Sequence, residues 1–201
     1  MTKYKLTYFD VKGLAEPIRM LLSYMGKEFE DNRFTADKWP ELKSKTIFGK
    51  VPMLQIDDKV VCETTAICRY LAVEAGLTGK NDWDNLQVDM IAGTVMDIHF
   101  EIVTFYREQD PKKKEELRLK MINETVPYYF SKYEERAKKT GYIAINTLTW
   151  ADIFFLTYTE CIDGLVGIKS LDNYPALLAL KEKVYNLPGI KQWIQKRPNT
   201  R

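Results

Sequence analysis

The sequence has little of the chemistry from which metal centres, redox sites and hydrolytic sites are built. It has one histidine, His99, and three cysteines, Cys62, Cys68 and Cys161. Three is an odd number, and the spacing of these cysteines matches no zinc or redox motif. Nothing in the sequence implies a triad that pairs the histidine with a nucleophile and a carboxylate. We therefore expect reduced thiols, and a chemistry that depends on other residue types.

An excess of charge of one sign is also missing. Lys and Arg number 30 and Asp and Glu 28, which gives a formal net charge of +2 at pH 7. Such a balance produces no overall field that would attract nucleic acid or an anionic membrane. No apolar run approaches the ~20 residues that a membrane span needs. The first residues, MTKYKLTYFD, lack the apolar core of a signal peptide. We expect a soluble, cytoplasmic protein that binds neither nucleic acid nor membrane.

The most informative stretch is Phe48–Tyr70, FGKVPMLQIDDKVVCETTAICRY. It predicts a strand over Met53–Ile56, a turn at the two aspartates and a return strand over Lys59–Cys62. Pro52 belongs at the start of the first strand, because a proline inside a central strand would remove a ladder hydrogen bond.

The helix after this hairpin starts near Thr64 and Thr65, either of which could cap it. A helix start leaves backbone N–H groups unpaired and carries a partial positive charge. Beside a strand end at Pro52, it suits an extended, peptide-like ligand that carries a carboxylate. A hairpin followed by an ordinary capped helix, with no ligand, fits the same residues. The stretch alone leaves both interpretations open.

The first half of the chain predicts a sheet with helices on its faces. Lys3–Phe9 alternates as a strand does, a helix begins at Glu16-Pro17, and Phe29–Phe34 is a second strand. The hairpin and its helix, which ends at Gly76, complete the order βαβ followed by ββα. This order predicts a four-stranded mixed sheet.

Beyond Gly76 the character of the chain changes. The segment GLTGKNDWD is typical of a connector between domains, and no convincing strand follows it. A long amphipathic helix should be followed by one that Pro127 kinks, and Thr149 and Asp152 form a capping box before a largely apolar helix. The predicted helical segments are 85–108, 111–139, the segment after Thr149, 175–186 and 189–195. We predict an α/β domain over 1–78 and an all-helical bundle over 83–201.

Five segments in order make the chain recognisable: YKLTYFDVKGLAEPIR, KWPELKSKTIFGKVPMLQIDD, the helix after Glu63-Thr64, LTWADIFF and WIQKRP. From about Tyr4 to Arg197 the chain resembles the sigma class of the cytosolic glutathione transferases. That class includes insect sigma transferases, haematopoietic prostaglandin D synthases and the lens S-crystallins of cephalopods. The resemblance implies a thioredoxin-like N-terminal domain, an all-helical C-terminal domain, glutathione as co-substrate and a homodimer in the cytoplasm.

The resemblance gives the catalytic role to Tyr8, at the end of the first strand. A free thiol has a pKa of ~8.5, so only a few per cent of it is thiolate at neutral pH. A phenol, with a pKa of ~10, stays protonated and can donate a hydrogen bond that stabilises the thiolate. Without the resemblance, Tyr8 would be interpreted as a structural strand tyrosine, as Tyr4 is.

The resemblance also implies how glutathione, a tripeptide with two carboxylates and one ammonium, is held. Val51, before a cis-Pro52, offers its backbone to the cysteinyl part, as an added strand would. The glycyl carboxylate meets the indole N–H of Trp39 and the charge of Lys43, with Lys50 beside them.

At the other end of the ligand, Thr64 should bind the γ-glutamyl carboxylate through its hydroxyl and N–H. Glu63 stands where the sigma pattern usually has glutamine, and an acid there pairs with the ligand's ammonium in other classes. Leu14 stands where vertebrate prostaglandin synthases have an arginine that supports the thiolate, so sulfur activation should depend more on Tyr8. Asp97 matches a residue that reaches the partner subunit's glutathione, although a plain charge on a helix face explains it as well.

The metal-responsive acidic cluster of the prostaglandin synthases is incomplete here, since Gly93 and Met96 replace two of its acids. We therefore predict no magnesium site. An apolar, aromatic wall would suit a hydrophobic acceptor, although ordinary core packing explains each of its candidates as well. The candidate acceptor residues are Phe9, Gly13, Met96, His99, Phe105 and Tyr106.

These features predict a glutathione transferase that conjugates reduced glutathione to hydrophobic electrophiles, with peroxidase activity on lipid hydroperoxides as a further possibility. One alternative is a glutathione-dependent prostaglandin D synthase, against which the missing arginine at Leu14 argues. Another is a non-enzymatic, S-crystallin-like or ligand-binding protein. Retention of the glutathione residues favours the enzyme over that alternative; these are Tyr8, Trp39, Lys43, Pro52 and Thr64.

Overall fold

The computed structural model of the chain describes residues 2–200. Their packing divides the chain into two compact units. The first runs to Leu77 and also takes in the C-terminal segment from Tyr185, and the second is Thr78–Val184.

The first unit is built on a four-stranded sheet with the order β2-β1-β3-β4. Strand β1 is parallel to β2 and antiparallel to β3, and β3 is antiparallel to β4. This confirms the predicted mixed sheet and the βαβ-ββα order. The elements are β1 (Tyr4–Phe9), α1 (Glu16–Tyr24), β2 (Phe29–Phe34), α2 (Trp39–Lys43), β3 (Met53–Ile56), β4 (Lys59–Cys62) and α3 (Thr64–Ala75).

The core of this unit follows from the alternation of β1. Tyr4, Leu6 and Tyr8 are buried, whereas the residues between them are partly exposed. Helix α1 is buried over nearly its whole length, because it packs against both α3 and the C-terminal helix α9 (Pro188–Lys196).

The close contact between α1 and α9 depends on a glycine. A Cβ atom at Gly189 would lie 1.9 Å from the carbonyl oxygen of Ser23, so a larger residue would push the helices apart. This contact explains why the C-terminal segment from Tyr185 packs with the sheet unit. The sequence instead predicts it as part of the helical domain over 83–201.

Among its described residues, the second unit has helices and connecting loops but no strand. Its helices are α4 (Asp82–Arg107), α5 (Pro111–Lys120), α6 (Val126–Thr140), α7 (Trp150–Val166) and α8 (Pro175–Tyr185), the last of which ends at the unit boundary. Helix α4 begins three residues before the predicted start, because the Asn81 side chain caps it and accepts a hydrogen bond from the Asp84 N–H at 2.9 Å. A π-helical turn, Met121–Thr125, interrupts the segment that was predicted to kink at Pro127. Among residues 2–200, no helix has both the length and the apolar character to cross a membrane.

The predicted capping box starts α7, whose residues from Trp150 to Thr159 are all buried. The Asp152 carboxylate accepts hydrogen bonds from the Thr149 N–H at 2.8 Å, the Thr149 hydroxyl at 3.0 Å and the Ile143 N–H at 2.9 Å. Burial raises the pKa of Asp152 to about 6, although these hydrogen bonds oppose the shift. One carboxylate therefore accepts hydrogen bonds both from the start of α7 and from the loop that precedes it.

Replacing this carboxylate should destabilise the fold strongly. In Asp152→Ala, buried donors of Thr149 and Ile143 lose their acceptor, at a cost of about 3 kcal/mol in the free energy of unfolding. Urea unfolding measures this difference. Asp172→Ala, at an exposed aspartate, is the matched control and should change it by less than ~0.5 kcal/mol. Equal effects of the two substitutions would contradict the role given to the capping box.

Candidate functional site

Tyr8 lies at the end of β1, where the strand leads into the loop before α1. The side chain is 8% exposed. Its hydroxyl oxygen accepts a hydrogen bond from the Leu14 backbone N–H at 3.2 Å. A hydroxyl that accepts such a bond becomes a better donor through its own hydrogen, because hydrogen bonds in a chain polarise one another. The tyrosine predicted to be catalytic is thus held by a backbone donor.

Gly13 makes this approach possible. Its φ is +42°, and a Cβ atom at this position would lie 2.8 Å from the Tyr8 hydroxyl oxygen and 3.0 Å from the ring. Gly13 was predicted to line the acceptor pocket. That role stays a prediction; the structure shows in addition that only glycine leaves room for the Tyr8 hydroxyl here.

An aromatic cluster lies beside Tyr8 in the same unit. The Phe9 ring centroid lies 5.6 Å from that of Tyr8, 4.7 Å from that of Phe34 and 5.4 Å from that of Trp39. Trp39 also stacks on Phe34 at 6.1 Å. The predicted glycyl-site tryptophan and the predicted acceptor residue Phe9 therefore pack together, and their roles toward ligands remain predictions.

The two predicted lysines lie at the loop before β3. Lys43 is exposed, and its side chain lies against Gly49, with Cε 3.5 Å from where a Cβ would stand. Lys50 is exposed as well, and its positive charge acts on the Cys62 thiol at the end of β4. Burial and the charge of Glu63 raise the pKa of the Cys62 thiol, while Lys50 opposes them. Both cations are therefore available at this edge of the unit for a carboxylate.

The peptide bond between Val51 and Pro52 is cis, as the resemblance implied. The last registered pair between β1 and β3 joins Thr7 and Met53. Val51 thus lies beyond the paired part of the strand, at the end of the sheet that holds Tyr8. This is the placement that an extended peptide needs to add its backbone to Val51.

Helix α3 begins directly after a backbone outlier. Glu63 is its N-cap residue, with φ +73° and ψ 105°, and makes no side-chain capping bond. Neither threonine caps the helix, contrary to our expectation. Thr64 is 5% exposed, and its hydroxyl donates to the Leu14 carbonyl oxygen at 3.2 Å. Since a hydroxyl has one hydrogen, the helix-start N–H groups are the donors best suited to a ligand carboxylate.

In the helical unit, two of the predicted acceptor residues lie together on α4. Met96 and His99 are half-buried, and both contact Tyr158 of α7. The Tyr158 hydroxyl lies 3.9 Å from the Met96 sulfur, and the Tyr158 ring packs edge-on to His99 at 5.5 Å. Burial, and then the charge of Arg107, lower the pKa of His99, which keeps the imidazole neutral at pH 7.

Phe105 and Tyr106 lie in different environments. Phe105 is buried within the helical unit beneath the Lys114 ammonium, 5.5 Å from the ring centroid, whereas Tyr106 is exposed. Asp97 is exposed on α4 and accepts a hydrogen bond from the Tyr129 side chain. Burial first, then this acid and its neighbours, raise the pKa of Tyr129. Over residues 2–200, no group of acidic, histidine and cysteine side chains is arranged to hold a metal ion.

A sheet of this order, with a cis-proline before β3 and a separate helical unit, is a thioredoxin-like domain joined to a helical bundle. Residues 4–73 match the family model of the glutathione S-transferase N-terminal domain, and residues 96–197 match that of its C-terminal domain. The chain belongs to the glutathione S-transferase family, an enzyme family that uses glutathione as substrate.

Full-length relatives agree with this assignment. The chain is 38% identical to a glutathione S-transferase of Anopheles gambiae, over 100% of this chain and 99% of that protein. It is 35% identical to hematopoietic prostaglandin D synthase of Gallus gallus, with the same coverage. The solved structure of prostaglandin synthase D of Nilaparvata lugens superposes with a TM-score of 0.94, at 45% identity and 98% coverage of both chains. A monomeric transferase of Necator americanus superposes with a TM-score of 0.87, at 32% identity and 99% coverage of both chains.

Sequence reasoning missed three features of the site. It noted only that Leu14 has no arginine side chain, whereas the backbone of Leu14 forms hydrogen bonds with both Tyr8 and Thr64. It gave no role to Tyr158, whose only sequence signal is its position in a largely apolar helix. It also gave none to Arg19, whose signal is the i, i+3 spacing from Glu16 at a helix start.

The contact between Gly13 and Tyr8 can be tested with a matched pair of glycines. Gly13→Ala should lower kcat/KM for glutathione conjugation at least tenfold, because the new Cβ displaces the Tyr8 hydroxyl. Gly26→Ala has the same kind of positive φ, +66°, but nothing within 4 Å of the added Cβ. It should cost about 1–2 kcal/mol of stability and leave kcat/KM unchanged. If both variants lose activity equally, the steric account is wrong.

Proposed function

We propose that the protein is a sigma-type glutathione transferase that conjugates reduced glutathione to hydrophobic electrophiles. The observation that carries this proposal is the hydrogen bond that fixes the Tyr8 hydroxyl at the end of β1. Membership of the family supplies the substrate, and a donor held at this position is suited to activating its thiol.

The proposed chemistry needs no covalent enzyme intermediate. The Tyr8 hydroxyl donates to the glutathione sulfur and favours its thiolate form, so that the thiol proton passes to solvent. The thiolate then forms a bond to carbon of the electrophile, and the electrons move onto a leaving group or onto a conjugated oxygen that water protonates. The neutral phenol is retained through the reaction. We propose that no metal takes part.

The rest of glutathione is proposed to bind across the first unit. Val51 pairs with the cysteinyl backbone, and the cations Lys43 and Lys50, with Trp39, meet the glycyl carboxylate. At the other end of the peptide, Glu63 meets the ammonium, and the N–H groups at the start of α3 meet the γ-glutamyl carboxylate. The positive φ of Glu63 supports this assignment, because strained backbone is often kept where a ligand is held.

One reported relative is named hematopoietic prostaglandin D synthase and one solved structure prostaglandin synthase D, which keeps prostaglandin isomerisation as a second candidate activity. Leu14 cannot supply the arginine charge of the vertebrate synthases, so we favour conjugation. The acceptor is proposed to be lipid-derived and held by the helical residues Met96, His99 and Tyr106. With an unsaturated aldehyde the thiolate adds to carbon, whereas with a hydroperoxide it attacks oxygen, cleaves the O–O bond to release the alcohol, and leaves a glutathione sulfenic acid that a second glutathione converts to the disulfide and water. A non-enzymatic, crystallin-like role is opposed by the intact Tyr8 environment.

We propose a cytoplasmic homodimer. The first unit exposes Phe48, Tyr70 and Val73, and the second exposes Leu86 and Met90 at one face of α4. Exposed apolar residues that share a helix face, as Leu86 and Met90 do, mark an interaction surface more often than solvated surface. A second copy of the chain would also bring Asp97 to its partner's glutathione. The monomeric Necator relative makes the oligomeric state a point to measure.

Substitution of Tyr8 tests the proposed function. In Tyr8→Phe the glutathione thiol loses its hydrogen-bond donor, so its pKa in the binary complex should rise by about one unit or more. At pH values below that pKa, kcat/KM with an aromatic electrophile should then fall at least tenfold. Ultraviolet titration of the thiolate measures the pKa.

Tyr4→Phe is the matched control for this experiment. Tyr4 lies on the same face of β1, but its hydroxyl lies 3.4 Å from the Glu74 carboxylate instead. This variant should keep the thiol pKa and activity of the native protein. An unchanged thiol pKa in Tyr8→Phe would overturn the proposed mechanism. Absence of calorimetric binding of glutathione at millimolar concentration would favour the crystallin-like alternative.

The proposed dimer is tested by placing charge on the exposed apolar faces. Val73→Glu and Leu86→Glu should each shift the sedimenting species toward the 23.5 kDa monomer, because a buried unpaired carboxylate opposes association. Leu119→Glu places the same charge at another exposed leucine, on α5, and should leave the mass of the native protein unchanged. A native protein that already sediments as a monomer would contradict the dimer.

A further inference from the structure

Arg19 is the least expected charged residue of the first unit, because its side chain is 0% exposed. It lies on α1, one turn after the loop that follows Tyr8. Its Nη1 donates to the carbonyl oxygens of Val11 at 3.0 Å and Lys12 at 3.2 Å. The guanidinium thus bonds to the backbone of the loop that carries Gly13 and Leu14.

The guanidinium is itself held by two carboxylates. Nη1 lies 3.1 Å from Glu16 Oε2, and Nε donates to Asp31 Oδ1 at 2.9 Å. Asp31 also accepts from Arg33 Nε at 2.7 Å, and Arg33 pairs with Asp10 at 3.2 Å. The loop is therefore bound at its first residue through Arg33 and at its next two residues through Arg19.

The second oxygen of Glu16 joins the loop to the end of the chain. Glu16 is 1% exposed, and its Oε1 accepts from the Trp193 Nε1–H at 2.8 Å and from Arg197 Nη1 at 2.7 Å. Both donors lie on or directly after α9. The carboxylate thus has one oxygen on Arg19 and the other on the C-terminal residues.

Stability alone does not account for this arrangement. Replacing a buried ion pair by apolar residues is often neutral or stabilising, so a buried pair is poor evidence for a stabilising role. Arg19 Nη2 is also buried without a hydrogen-bond partner among the described residues, which adds a further desolvation cost. What the guanidinium does achieve is geometric, since it fixes two successive carbonyl groups of one loop.

Those carbonyls lie directly before the 3₁₀ turn Gly13–Ala15, in which Leu14 donates its N–H to Tyr8. The Glu16 N–H donates to the Lys12 carbonyl oxygen at 3.1 Å, so the turn is closed on a group that Arg19 also holds. A shift of the Lys12 carbonyl would therefore shift the Leu14 N–H. Displacements of about 1 Å at a reacting group can cost ~10²-fold in rate.

We propose that Arg19 is a positioning residue for activation of the glutathione sulfur. It holds the Val11 and Lys12 carbonyls so that the Leu14 N–H polarises the Tyr8 hydroxyl. Trp193 and Arg197 act on the same loop through Glu16. This inference rests on the proposed function, because it assumes that Tyr8 stabilises the thiolate.

The test is the thiol pKa of reduced glutathione bound to each variant, a quantity that a merely structural role would not move. Arg19→Met should raise it by about one unit, with a matching tenfold loss of kcat/KM below that pKa and a smaller change in KM for glutathione. Arg19→Lys, which keeps the charge but not the planar fork, should give an intermediate shift.

Trp193→Phe is the second variant, and it keeps the inference testable if Arg19→Met does not fold. Its ring can keep the packing of Trp193 against Phe29, whose centroids lie 5.4 Å apart, while the donor to Glu16 is lost. We expect the thiol pKa to rise here too, by less than in Arg19→Met. Leu22→Val, at a fully buried residue of the same helix, should lower Tm and leave the thiol pKa unchanged.

Two outcomes overturn the inference, and they are distinct. An unchanged thiol pKa in the folded Arg19 variants and in Trp193→Phe, beside a raised one in Tyr8→Phe, removes the positioning role and leaves the proposed function intact. An unchanged thiol pKa in Tyr8→Phe itself overturns both. An equal rise in Leu22→Val would show that loss of stability alone causes the shift, and would also remove the role of Arg19.

Discussion

The backbone of one residue, Leu14, is the constraint on which the candidate site depends. Its N–H donates to the Tyr8 hydroxyl, and its carbonyl oxygen accepts from the Thr64 hydroxyl. The first bond holds the hydroxyl that is proposed to face the glutathione sulfur, and the second ties the start of α3 to the same peptide. The proposed sulfur position and the proposed γ-glutamyl end of the glutathione site are therefore placed relative to each other by a single loop, for which Gly13 provides the room.

The framework around this loop was predictable from local patterns. The bounds of β2, β3 and β4 are those predicted, because alternation, the Asp57-Asp58 turn and the proline before β3 all agree. Asp57 takes a positive φ of 54°, which aspartate tolerates better than most residues. The cis state of Pro52 had no such local signal and came from the resemblance alone, as did the role of Tyr8.

The features that could not be predicted involve backbone groups and charged residues whose sequence pattern is that of exposed surface residues. Every residue but proline has an N–H, so nothing about a leucine at position 14 indicates that its amide meets a tyrosine hydroxyl. The positive φ of Glu63 is equally invisible, since glutamate has no preference for that conformation. Arg19 and Glu16 would ordinarily be assigned to an exposed helix face, yet both are buried, Arg19 against the loop after β1 and Glu16 against the C-terminal residues around α9.

If Tyr8 acts as proposed, the packing of α9 on α1 makes sulfur activation a long-range property of the fold. Arg197 and Glu16 are 181 positions apart in sequence, yet their contact supports a loop that adjoins Tyr8. Closing so long a loop has an entropic cost that contacts made late in folding must offset. Arg19 of the same helix can serve one oxygen of the Glu16 carboxylate, but the other oxygen has its donors, Trp193 and Arg197, only when the C-terminal helix is in place. A donor precise enough to shift a thiol pKa is therefore a product of the completed unit rather than of the β1 strand that bears it.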